Sequence, residues 1–117
     1  MSETDRCLFC RIASGDIPSR KVYEDSDVLA FEDIDPKAPT HVLVIPRRHV
    51  PSLDDLGPED NEMMGRVIYR ASAIARDLGL PSEGYRVVIN NGPGAGQSVF
   101  HIHAHLLGGR PFSWPPG

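Results

Sequence analysis

The apolar positions of this chain change period along its length, and each change marks an element. Residues 7–14 suit a short helix, which the turn chemistry of Gly15-Asp16-Ile17-Pro18 ends. Two short strands follow, Val22 to Glu24 and Val28 to Asp33, separated by Asp25-Ser26-Asp27 and therefore read as a hairpin. Pro36 and Pro39 break the chain before a third strand, His41 to Pro46. Its aliphatic run Val42 to Ile45 suits a strand buried on both faces or crossing the sheet centre. From Pro58 to Leu78 the period becomes helical, with Met63, Met64, Val67, Ile68, Ala71, Ile74, Ala75 and Leu78 at intervals of one, three and four. Pro58 suits the first turn of that helix, Glu59, Asp60 and Glu62 lie at the positive end of its dipole, and Gly79 and Pro81 stop it. Strands Tyr85 to Asn90 and Phe100 to Leu107 close the pattern, joined by the glycine-rich segment Asn91 to Ser98. Short helix, three strands, long helix and two strands describe an α+β domain with an antiparallel sheet. Five short strands leave edges open, and an open edge commonly pairs with a second copy, so a homodimer is expected.

Composition narrows the picture. A chain of 117 residues, 40% of them hydrophobic, can build one core without disulfides, and a single domain over residues 1–117 is expected. A net charge of −4 with interspersed signs gives no basic face for nucleic acid or an anionic membrane surface. The start Met-Ser-Glu-Thr-Asp-Arg has no basic segment leading into an apolar stretch, so neither an export signal nor a membrane span is expected. A cytoplasmic location is expected. There Cys7 and Cys10, at Cys-x-x-Cys spacing, are better read as metal ligands or thiols than as a disulfide. Met63 and Met64 read as helix core, and Arg47 and Arg48 as solvated.

The histidines carry the chemistry. All five fall in two places: His41 and His49 flank the third strand, and His101, His103 and His105 form His-Ile-His-Ala-His in the last one. Residues two apart on a strand share a face at a spacing of about 6 to 7 Å, so three imidazoles would form a row while Ile102, Ala104 and Leu106 enter the core. The preceding loop, Asn90 to Ser98, is rich in glycine, whose backbone can approach an anion closely and present N–H groups to it, with Gln97 and Ser98 as further neutral donors. Histidine row and loop together point to a bound phosphate. A neutral imidazole at His103 can attack an α-phosphate to form a phosphoramidate that water then cleaves, while the flanking His101 and His105 stabilise charge on the oxygens. No carboxylate cluster suited to Mg²⁺ stands out, and no catalytic metal is required.

At this point the chain resembles the histidine triad proteins, defined by His-φ-His-φ-His-φ-φ with φ apolar, here His101-Ile-His-Ala-His-Leu-Leu107. The likeness extends to Phe9-Cys10-Arg11-Ile12, Ile17-Pro18, Phe31 to Ile34, Ala38-Pro39-Thr40-His41, Ile45 to His49, Gly96-Gln97-Ser98 and Gly108-Gly109-Arg110. The ending Trp114-Pro115-Pro116-Gly117 is similar to that of the purine nucleoside phosphoramidases within the family. The resemblance implies the histidine triad fold, a five-stranded antiparallel sheet with one long and one short helix, and two such sheets joined across a homodimer. It implies a hydrolase that binds purine nucleotides and cleaves nucleoside 5′-phosphoramidates, of the adenosine 5′-monophosphoramidase type, through a nucleotidyl-histidine. His103 is then the nucleophile, His105 and Ser98 contact phosphate and leaving group, and His41 completes the hydrogen-bonded set. Asn90, Gly96 and Gln97 line the phosphate and ribose region, Asp33 binds the ribose hydroxyls, and Phe9, Ile12, Ile17, Phe31 and Ile34 form the slot for the base. The tail, 109–117, would carry Trp114 toward the partner's site.

The same resemblance makes Cys7, Cys10, His49 and His101 a structural zinc set, closed and tetrahedral. Other readings stay open: a dinucleoside polyphosphate hydrolase, a non-catalytic nucleotide-binding regulatory module, or a metal-binding protein with no nucleotide role. The leaving group and the preferred purine are not legible in the residues.

Overall fold

The computed structural model describes residues 3–117. After a one-turn helix α1 (Glu3–Arg6), the chain forms α2 (Leu8–Ser14), β1 (Lys21–Glu24), β2 (Val28–Glu32) and β3 (Thr40–Pro46). The long helix α3 (Asn61–Asp77), β4 (Tyr85–Val88) and β5 (Ala104–Gly108) complete it. The strands form one sheet in the order β1-β2-β3-β5-β4, every neighbour antiparallel. This is the expected α+β architecture of five strands with one long and one short helix, preceded by the single turn of α1. Among the described residues no helix is long and apolar enough to cross a membrane.

The aliphatic strand β3 lies third of five, and its residues from His41 to Pro46 are buried because helices cover both faces there. On one side Val28, Ala30, Val42, Val44, Ala104 and Leu106 meet Val67, Ala71, Ile74 and Ala75 of α3. The other side of the same strands sends Leu29, Phe31, Leu43 and Ile45 against Cys7, Phe9 and Ile12 of the α2 segment. A seven-residue helix is marginal alone. Here it is held by Cys7, whose Sγ accepts the Cys10 N–H at 3.3 Å, and by Gly15, whose φ of +90° allows the left-handed turn that stops it.

Several element ends differ from the sequence pattern. Pro58–Asp60 is a separate 3-10 turn, and α3 begins at Asn61. The apolar stripe of α3 excludes Ile68 and Leu78, which are exposed; Met64 packs against the core, whereas Met63 borders a surface cleft with Arg47 and Arg66. Nor is Arg47 solvated: its Nε donates to Asp25 O at 2.6 Å, Nη1 to Ala13 O at 3.1 Å and Nη2 to Glu24 at 3.1 Å, tying the α2 end to the β1–β2 hairpin. Arg48 pairs with the buried carboxylate of Asp60.

The last strand is shorter than the period-two pattern from Phe100 suggests, beginning at Ala104. The β3–β5 ladder runs only to the Val44↔Ala104 pair. Two residues further, at Pro46 opposite Ile102, it would need the N–H that Pro46 lacks, and the chain turns away so that Ile102 N–H donates to Val50 O at 2.7 Å. His101 and His103 therefore stand outside the ladder, His101 at a bend, and the triad is not a uniform strand row.

Candidate functional site

The departure of the chain at Pro46 separates the triad into two groups. His101, fully buried, faces Cys7, Cys10 and His49, whereas His103 and His105 face each other with ring centroids 4.9 Å apart. Phe9 stands between, edge-on to His103 at 5.0 Å and to His101 at 6.0 Å. His101, expected both to flank a phosphate and to hold a metal, is turned to Cys7, Cys10 and His49 and not to the other two triad rings.

Hydrogen-bond partners set the protons on these rings. A carbonyl oxygen can only accept, so His103 Nδ1–H donates to His101 O at 2.7 Å and its Nε2 keeps a free lone pair. The Lys37 main-chain N–H donates to His41 Nδ1 at 3.0 Å, which places the His41 proton on Nε2; that proton is donated to His105 Nδ1 at 2.9 Å. His105 then carries its own proton on Nε2. The arrangement offers a nucleophilic nitrogen on His103 beside a donor on His105. Burial pushes His103 below the ordinary imidazole range against the opposing hydrogen bond to His101 O. It also lowers His105, with His103 and His41 adding to the effect, to about 4. Neutral rings are what nucleophilic attack and hydrogen-bond donation at neutral pH require.

Against His41 and His105 lies a cavity of about 410 Å³ lined also by Asp33, Lys37, Asn90, Ser98 and Leu107 among others. A neighbouring cavity of about 380 Å³ shares Asp33 and His41 with it and extends past Ile34 and Pro36 to Arg20. The main-chain N–H of Asp33 donates to His41 O at 3.0 Å, and its carboxylate lies 3.4 Å from His41 Nε2. Asp33, Asn90, Ser98, His41 and His105 are thus brought to one groove. Of the apolar residues assigned to a base slot, Phe9, Ile12 and Phe31 are packed in the second core cluster with Ile17 beside them, Phe9 against Phe31 at 5.4 Å, while Ile34 is fully exposed. Ile34 lines the smaller of the two cavities, and Phe9, Ile12 and Phe31 lie within the core cluster. Trp114 is 84% exposed at the other end of the chain.

The glycine-rich loop does something other than expected. Its Ala95, Gly96 and Gln97 N–H groups bond inward to Gly92 O and Pro93 O at 3.0–3.2 Å, so they are not a nest open to an anion. Gln97 is buried; its Oε1 accepts the Gly92 N–H, and its Nε2 donates to Pro51 O and Val99 O. Gln97 shapes the loop from within, Gly96 with φ +97° closes its turn, and exposed Ser98 is the loop residue presented to the groove. Sequence reasoning missed Lys37, whose main chain orients His41, and Pro46, whose carbonyl accepts His101 Nε2–H at 2.7 Å. Both act through backbone atoms, which leave no residue-type signal.

The second group is built for a metal. With Nε2–H given to Pro46, His101 turns an unprotonated Nδ1 to Cys7 Sγ at 3.3 Å, Cys10 Sγ at 3.4 Å and His49 Nδ1 at 3.3 Å. Bond lengths for tetrahedral zinc require edges of about 3.3 Å between nitrogens and about 3.6 Å between nitrogen and sulfur, so the donor set fits the ion. The thiol of Cys10 is pushed up to about 12 by burial and by Cys7, a cost that coordination as thiolate removes. Asp33, His41 and His105 also lie close together, but the 2.9 Å between His41 Nε2 and His105 Nδ1 is a hydrogen-bond distance.

Known proteins place this arrangement. A histidine triad nucleotide-binding protein of Candida albicans superposes with a TM-score of 0.79 at 33% identity, covering 93% of this chain and 82% of that one. A HIT family hydrolase of Legionella pneumophila does so with a TM-score of 0.93 at 50% identity over 95% and 99% of the two chains. The 14 kDa zinc-binding protein of Zea mays is 50% identical over 112 residues, 94% of this chain and 87% of that protein. The HIT domain matches residues 14–112, and with the histidine motif, the sheet order and the paired His103 and His105 in place, the chain belongs to the HIT domain family of histidine triad proteins.

Proposed function

We propose that this protein is a purine nucleotide-binding hydrolase that cleaves nucleoside 5′-phosphoramidates through a nucleotidyl-histidine intermediate on His103. The observation that carries the reading is the proton arrangement: Nδ1–H of His103 held by His101 O leaves Nε2 as a lone pair, and the adjacent ring, His105, lines the groove and presents a proton. Asp33 takes the ribose hydroxyls, Asn90 and Ser98 the phosphate oxygens, and Ile34 closes over the base above Phe9, Ile12 and Phe31. The His103 lone pair forms a bond to the α-phosphorus as the phosphorus–nitrogen bond of the substrate breaks. The departing nitrogen, protonated from the solvent side of the groove, leaves as the neutral amine with the electron pair of the broken bond, while His105 Nε2–H, which the His41 relay orients, donates a hydrogen bond to the phosphoryl oxygen. Water then attacks the phosphorus and gives up a proton to solvent, the bond to His103 breaks, and nucleoside monophosphate and the neutral His103 ring are restored.

Cys7, Cys10, His49 and His101 are proposed to hold a structural zinc, supported by the tetrahedral fit of the donors and by relatives of Zea mays and Brassica juncea named for zinc binding. Zinc supplies there a fixed anchor for the α2 segment and for His101. The open edge of β4 and the exposed Trp114 support a homodimer in which the tail, 109–117, approaches the partner's groove.

Release of AMP from adenosine 5′-monophosphoramidate tests the activity. His103→Ala should lower it by roughly a thousandfold or more while circular dichroism stays native. Rapid quenching of the unaltered enzyme should yield protein heavier by one nucleotidyl group. Tight AMP binding without turnover of any phosphoramidate would leave a binding module in place of the enzyme.

A further inference from the structure

Resting on that reading, the groove also indicates what leaves. The two cavities beside the histidines share Asp33 and His41, but Ile34 lines one, and His105, Ser98 and Lys37 line the other. A ribose at Asp33 with its base against Ile34 occupies the first. Phosphorus over His105 then directs the departing group into the second, across Leu107 and Val88 and beneath the rim made by Lys37 and Asp35.

Among the described residues, Lys37 is the cationic side chain on the lining of that second cavity. Arg86, which shares the sheet face through its pairing with Leu107, is taken by the tail: its Nη2 donates to Ser113 O at 2.8 Å and its guanidinium lies 5.1 Å from the Phe112 ring. Lys37 is placed by the fold, since its own N–H donates to His41 Nδ1. Its ammonium is paired with Asp35 at 2.8 Å, but side-chain exposures of 65% and 81% make this a pair that water and a competing anion can open. Lys37 is the more enclosed partner, and Asp35 the one facing solvent.

We propose that Lys37 is a specificity-determining residue that selects leaving groups bearing a negative charge close to the scissile bond, with Asp35 as the intramolecular competitor that holds the ammonium when no such charge is present. The chemistry is an anion a few bonds from the departing atom, which either a carboxylate or a phosphate supplies. Asp33 and Asp35 keep the surroundings acidic, so without Lys37 the same groove disfavours an anionic leaving group.

The test is the ratio of kcat/KM for two adenosine phosphoramidates, one of an α-amino acid linked through its nitrogen with a free carboxylate and one of the matching neutral carboxamide. The unaltered enzyme should prefer the carboxylate. Lys37→Gln should lower the ratio about fivefold, the size of one solvent-accessible ion pair, and Asp35→Asn should raise it. A ratio cancels any general loss from disturbing the turn, and opposite responses of two adjacent variants are not what misfolding produces. A dinucleoside polyphosphate as a third substrate separates the sources: loss of its hydrolysis in Lys37→Gln with an unchanged amino-acid ratio assigns the seat to phosphate, and a lowered amino-acid ratio assigns it to carboxylate. Equal losses on both phosphoramidates with no effect on the polyphosphate, or a preference of the unaltered enzyme for the carboxamide, overturn the proposal. If neither phosphoramidate is cleaved, the hydrolase reading itself falls and this inference with it.

Discussion

His103 and His101 are two residues apart and have opposite ring protonation, because each ring finds a different carbonyl. His103 gives Nδ1–H to His101 O and presents Nε2; His101 gives Nε2–H to Pro46 O and presents Nδ1. The proposed nucleophile and the proposed metal donor thus differ without any difference in residue type. Gln97 is the comparable case in the loop. Its side chain satisfies one donor and two acceptors of the backbone while only 4% exposed, so Gln97→Ala leaves Gly92 N–H without its partner. The expected cost is about 1–3 kcal/mol, read as a lowered midpoint in urea, with a fall in kcat/KM because Ser98 is carried by the same loop. A midpoint unchanged beside full activity would show that Gln97 does not organise this turn.

At the scale of the elements, α2 depends most on groups outside itself. Its N-terminal cap is a proposed metal ligand, Cys7, and its buried residues Phe9 and Ile12 meet Phe31 and His103. The long α3, seated on β2, β3 and β5, has no such dependence. Removing zinc with a chelator, or replacing Cys10 by Ser, should therefore raise amide exchange in residues 8–14 far more than in 61–77. Equal loss of protection in both helices would show that the cluster supports the whole fold and not this segment. In β2, Leu29→Ala opens a cavity at a fully buried position between the strands and α2, and should cost about 2–5 kcal/mol. The sequence pattern located these helices and strands, because each depends on a local period. It misplaced their ends where tertiary partners intervene: Pro46 stops the ladder that period two carries back to Phe100, and the Asp60 carboxylate, accepting Gly57 N–H at 2.9 Å, separates the 3-10 turn from α3.

Across the whole molecule, burying neutral imidazoles couples stability to pH. Burial lowers His41, with Lys37 adding and Asp33 and Asp35 opposing; it lowers His105 to about 4, with His103 and His41 adding and Asp33 opposing. In the unfolded chain these rings return to about 6.5, so as the pH falls the unfolded state takes up protons first. Their contribution to stability is whole above about pH 6.5 and is lost progressively down to about pH 4. Melting temperature should decline across that window in the native protein, and the decline should be shallower in His105→Gln. A profile flat from pH 7 to 4.5 would contradict neutral burial of the pair.

What the residues alone determined is the alternation of periods, hence an α+β sheet, and the placing of three of the five histidines just after a glycine-rich loop and the other two at the ends of the third strand. Periodicity and composition are local properties, and a chain carries them whether folded or not. Only the tertiary structure decided which histidines act together. It divided the triad at the point where Pro46 cannot extend the ladder, turned the loop amides inward, and brought Lys37 to the histidine groove. Those outcomes depend on which backbone carbonyl or N–H meets each ring, and that is a property of the packed chain rather than of any residue in it.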